Sequence, residues 1–124
     1  MNLTTHHEKM LNLMNNSATF SECVSSFLGC KGFVFCDRDL KNPLESDPRK
    51  VYLIQIASHF NGRVDNTHSI VIFNHKLYDV NHPTPLSLTK DNLDLCCVGD
   101  DWKFDHISRV VSFLPSKKME KNLH

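Results

Sequence analysis

The sequence lacks most of the features that make a function legible. Its four glycines, Gly29, Gly32, Gly62 and Gly99, stand far apart, so no glycine-rich loop can cradle a phosphate. Neither sign of charge is in excess: fourteen basic and fourteen acidic side chains cancel, and Lys117, Lys118 and Lys121 form only a short basic end. A nucleic-acid footprint is therefore not expected. No apolar run approaches the roughly 18 residues that a membrane span needs. The opening Met-Asn-Leu-Thr-Thr-His-His-Glu-Lys has neither the basic start nor the apolar middle of a signal peptide. An intracellular, cytoplasmic location is the expectation. The five cysteines, Cys23, Cys30, Cys36, Cys96 and Cys97, are odd in number and do not follow a disulfide framework, which suits reduced thiols. Eight histidines invite a metal, but there is no C-x-x-C, no H-E-x-x-H and no cysteine pair with a later histidine pair. His68, His75 and His82 recur at intervals of seven but straddle a hairpin and a proline loop. No metal and no cofactor are expected.

What is present suits one folded domain. Forty per cent of the residues are hydrophobic, eight of them Phe, which is enough for a core. Residues 4–16 read as a helix with Met10, Leu11, Leu13 and Met14 on its apolar face. A second helix is expected over about 19–28, because Phe20, Cys23, Val24, Phe27 and Leu28 repeat at the spacing of one buried face. Residues 32–36 form a short apolar run, followed by a polar loop over 37–50 with turn dipeptides at Asn42-Pro43 and Asp47-Pro48. Residues 51–57 are the strongest strand and suit a central place. Asn61-Gly62 marks a turn, and strands over 68–73 and 77–80 flank a short polar break. Pro83 and Pro85 lie in an extended loop, Thr89 caps a third helix, and 107–113 is a last strand ended by Pro115. Helices first and an antiparallel meander afterwards predict an α+β domain over 1–115, with two N-terminal helices on a four- to five-stranded sheet and a frayed tail at 116–124. Trp102, the single tryptophan, stands between acidic residues, where it can close one end of a core or anchor a partner.

The hairpin is the stretch that suggests chemistry. It sets His68 at the start of one strand and Asp79 late in the next, roughly opposite each other in an antiparallel pair. A carboxylate that fixes an imidazole makes a general base. Cys23 is the thiol best placed to join them, near the first turn of a helix whose N-terminus favours the thiolate. Cys23 also falls on the apolar stripe of its helix, the position of a core thiol.

The run His68-Ser-Ile-Val-Ile-Phe-Asn-His-Lys-Leu-Tyr-Asp79 resembles the His-to-Asp hairpin of the papain-like cysteine peptidase superfamily, nearest to its bacteriocin-processing, ovarian-tumour and Josephin types. Pro83, Pro85 and the stretch Leu86 to Leu93 resemble the proline loop and short helix that follow in those branches. The likeness covers roughly residues 51–97. It implies a papain-like fold and a thiol hydrolase that cleaves a peptide or isopeptide bond. Cys23 would attack, His68 would carry the proton and Asp79 would orient His68. Protein or peptide substrates, ubiquitin-like ones among them, are implied by the same likeness. The N-terminal half departs from the family. Its amide donor for the oxyanion usually stands upstream of the nucleophile, whereas the only glutamine, Gln55, lies downstream. Asn16 is the nearest upstream amide, and it or the backbone near Cys23 takes that role in this reading. The alternative is an inactive or truncated relative that acts as a protein-interaction module.

Overall fold

The computed structural model describes residues 10–14 and 19–115. Residues 10–14 are helical (α1) and carry Met10 and Met14 into the core. The remainder of the expected first helix and the tail 116–124 lie outside the described residues. Helix α2, Phe20–Leu28, starts where the sequence placed it: Thr19 caps it, its hydroxyl accepting from the Glu22 N–H at 3.1 Å. The buried residues of α2 are Phe20, Cys23 and Phe27, one face of the helix.

Among the described residues, six strands form one antiparallel sheet: β1 (Phe33–Asp37), β2 (Val51–Phe60), β3 (Arg63–Phe73), β4 (Lys76–Tyr78), β5 (Leu86–Ser87) and β6 (Lys103–Pro115). Their spatial order is β1-β6-β2-β3-β4-β5. The expected four to five strands become six because the start of the anticipated proline-to-helix segment pairs with β4, Leu86 opposite Leu77. The last strand is also longer than its apolar run, from Lys103 to Pro115. It lies between β1 and β2 and pairs with both.

β2 is central, with β6 on one side and β3 on the other. Its side chains alternate between two cores, as a period of two requires. Val51 and Leu53 meet α1 and α2 together with Val71, Phe73, Val111 and Phe113. Tyr52, Ile54 and Ile56 face the other way and pack with Ile70, Ile72, Leu77 and Leu93. Leu93 belongs to α3, Lys90–Leu95, capped by Thr89, whose hydroxyl accepts from the Asn92 N–H. The sheet is thus covered on both faces, α3 lying opposite the N-terminal helices. Two tight turns bind the meander. Asn61 (φ 51°) and Gly62 (φ 81°) join β2 to β3, and Asn74 (φ 52°) and His75 (φ 62°) join β3 to β4. Positive φ at both central residues is the hairpin turn whose twist matches the strands.

Candidate functional site

The hairpin does bring His68 and Asp79 together. His68 Nε2 lies 3.0 Å from Asp79 Oδ1. The register differs from the expected one. Val71 stands opposite Tyr78, so Asp79 continues the row opposite Ile70, and His68 reaches it along the diagonal. Asp79 is 2% exposed, just past the end of β4. The Asn81 N–H donates to the same Oδ1 at 3.0 Å, and the His82 N–H donates to the Asp79 carbonyl at 2.9 Å. This turn sets the direction of the carboxylate. Burial alone would raise its pKa. The hydrogen bonds from His68 and Asn81 and the nearby imidazoles of His68 and His82 outweigh burial, so the carboxyl group sits below its usual range. Asp79 is a carboxylate at neutral pH, and a carboxylate accepts only, so the shared proton is on His68 Nε2.

Cys23 does not join them. It is 3% exposed within the core between α2 and the sheet, in a cluster with Phe27, Phe33 and Phe113, and its thiol points to the Met14 carbonyl 4.0 Å away. Asp79 neighbours Cys96, which belongs to the core on the opposite face. The expectation of a Cys23–His68–Asp79 triad is corrected on this point: the apolar stripe of α2 decides the direction of Cys23, and that direction is away from the hairpin pair. His68 Nδ1, the nitrogen that a nucleophile would need, is buried without a hydrogen-bond partner among the described residues. Asn16 lies outside the described residues. Gln55 sits inside β2, where its carbonyl accepts from the Ser108 hydroxyl at 3.0 Å.

Sequence reasoning missed two neighbours of Asp79. His82 Nε2 stands 3.7 Å from Asp79 Oδ2, and Cys96, at the C-cap of α3, completes a group whose donor atoms all lie within 4.8 Å of one another. Burial first, and then the Asp79 carboxylate, push the Cys96 thiol far up, so it is protonated and no nucleophile as it stands. Oxygen, nitrogen and sulfur donors at this spacing are a set that could hold a metal.

A second concavity lies on the other face. A cleft of about 390 Å³ runs between the first turns of α2 and strand β6, with walls of Phe20, Val24 and Val111 and with Arg38 and Arg109 beside them. The Arg109 guanidinium lies 5.9 Å from the Phe20 ring centroid, and that of Arg38 lies 5.1 Å from the Phe35 ring. Neither arginine is paired with a carboxylate among the described residues. No local pattern announces that Arg38 and Arg109 line one cleft, because it is the β1–β6 pairing that brings their strands together.

None of the protein-family models matches this chain. No curated protein and no solved structure matches it either.

Proposed function

We propose that this chain is a protein-interaction module that takes an acidic, aliphatic-flanked peptide segment into the cleft between α2 and β6. The observation that carries the reading is that Arg38 and Arg109 both line this cleft beside the apolar Phe20, Val24 and Val111, neither having a carboxylate partner among the described residues. A carboxylate side chain would meet both cations while its aliphatic neighbours cover Val24 and Val111. The α2 N-terminus, at the cleft's edge, adds the same sign of potential.

The papain-like architecture enters this reading as the inactive form of that fold. Its support is the hairpin pair His68–Asp79 with Cys23 in the core on the other face of the sheet. A peptide- or isopeptide-cleaving enzyme would need a sulfur at His68 Nδ1, and Cys23 is turned into the other core. An intracellular site of action is part of the proposal and fits the free thiols of Cys30, Cys36, Cys96 and Cys97. The partner is a protein rather than nucleic acid, in keeping with the zero formal net charge. Among the described residues, no helix is long and apolar enough to cross a membrane.

The test is fluorescence anisotropy with a labelled library of peptides that alternate Glu and Leu, against the same library with Gln for Glu. Selective binding of the acidic peptides that is lost in both Arg38→Glu and Arg109→Glu supports the module. Equal binding of the Gln peptides, or binding indifferent to both reversals, overturns it.

A further inference from the structure

We propose that Asp79 Oδ2, His82 Nε2 and Cys96 Sγ form a binding site for a divalent cation of the zinc type, and that the ion clips α3 to the hairpin. This site stands apart from the peptide cleft, which lies on the opposite face of the sheet. It also departs from the expectation of no metal, which rested on linear spacing. Here the donors come from the turn after β4 and from the C-cap of α3, so no compact motif announces them.

The two carboxylate oxygens of Asp79 have different surroundings. Oδ1 is satisfied by His68 Nε2 and the Asn81 N–H, at 3.0 Å each. Oδ2 is buried and has no hydrogen-bond partner among the described residues. A buried anionic oxygen left in this state is costly unless something cationic meets it. Its nearest imidazole nitrogen, His82 Nε2, is 3.7 Å away, too far for a hydrogen bond. That separation does suit two ligands of one tetrahedral ion. Bond lengths of about 2.0–2.3 Å put the ligand atoms of a tetrahedral zinc site about 3.3–3.8 Å apart. The Cys96 sulfur is within 4.8 Å of both other atoms, so a modest contraction completes a three-donor face.

The surroundings supply the rest of a metal site. His68, by donating to Oδ1, orients the carboxylate and leaves Oδ2 free, as an outer-shell residue does for a metal ligand. The His82 side chain is 28% exposed, which gives an ion a path from solvent and leaves a fourth position for water. His82 would give up only a long contact, 3.4 Å, to the Leu95 carbonyl. Binding converts the Cys96 thiol to a thiolate: the sulfur–hydrogen bond breaks, a sulfur–metal bond forms, and the proton leaves to solvent. The rival arrangement is a Cys96 thiol that shares its proton with Asp79 and takes no metal.

The test uses the untagged full chain, stripped with chelator and then titrated with cobalt(II). A thiolate ligand gives a sulfur-to-cobalt charge-transfer band in the near ultraviolet, and tetrahedral geometry gives intense visible bands. Wild type is expected to show both at one equivalent, with zinc displacing the cobalt and raising the melting temperature. Cys96→Ser should abolish the charge-transfer band. His82→Ala, at a part-exposed position that leaves the core intact, should weaken binding at least about tenfold and remove the thermal shift with zinc. Cys97→Ala should keep the band. Absence of a charge-transfer band in wild type, or a band that survives both Cys96→Ser and His82→Ala, overturns the site.

Discussion

His68 and Asp79 meet on the diagonal of their hairpin, Nε2 to Oδ1 at 3.0 Å, with the carboxylate almost wholly buried. Exposed ion pairs contribute about 0–1 kcal/mol. A hydrogen bond to a buried carboxylate contributes more, because its loss leaves the charge without compensation. His68→Ala is therefore expected to destabilise the fold by about 2–3 kcal/mol in urea denaturation. A loss of less than about 0.5 kcal/mol would mean that water replaces the imidazole at no cost.

Thiol reactivity separates the core reading of Cys23 from a catalytic one. Iodoacetamide at neutral pH, followed site by site with mass spectrometry, is expected to label the half-buried Cys30 and Cys36 ahead of the buried Cys23, Cys96 and Cys97. His68→Ala should leave Cys23 no less reactive than before, because the two side chains belong to different faces of the sheet. Rapid labelling of Cys23 that collapses in His68→Ala would restore the thiolate–imidazole pair and the hydrolase with it.

The meeting of His68 with Asp79 was legible because it depends on a local hairpin pattern, whereas the expected catalytic place of Cys23 needed a long-range contact that the fold does not make. The cap at Thr89 and the Asn61-Gly62 turn were legible for the same reason. The apolar stripe of α2 likewise marked Cys23 as a core position. What escaped was long-range. Nothing local says that β6 enters between β1 and β2, or that α3 covers the face opposite α1 and α2. The meeting of Cys96 with Asp79 depends on where α3 docks. The Arg38–Arg109 cleft depends on β1 pairing with a strand from the far end of the described chain.

Gly99 is held by backbone and packing together. Its φ is +113°, and a Cβ there would stand 2.4 Å from Trp102 Cδ1. Gly99→Ala is expected to cost about 1–3 kcal/mol. Because Trp102 is the single tryptophan, its emission reports the change directly. The ring packs against Phe60, with centroids 5.7 Å apart, and a displaced ring should emit further to the red. An unchanged spectrum together with unchanged stability would mean that the 99–102 turn can rearrange at no cost.

Acid should loosen the loop before β2. The Arg49 side chain and backbone N–H both bond to Asp47 and hold its carboxyl group down at about 2. A depressed carboxyl pKa stabilises the folded state above the unfolded value, near 3.9, and that contribution disappears as pH falls toward about 2. The pair is solvent-screened, so the effect is small. Asp47→Asn is expected to flatten the fall in melting temperature between about pH 4 and pH 2. An identical acid slope in the variant would show that the contact does not persist in solution.

The order of the strands has a consequence for synthesis. β2 is apolar on both faces, and one of its hydrogen-bonding edges is covered only by β6, the last described strand. During translation β2, β3 and β4 can pair as they emerge, while β1 waits without a neighbour and β2 offers an open, sticky edge. The sheet closes only after Lys103–Pro115 has left the ribosome and slipped between them. Such late, distant pairing slows folding and leaves an edge open to intermolecular association. A nascent chain arrested before Lys103 should recruit chaperones that one released after Pro115 no longer needs.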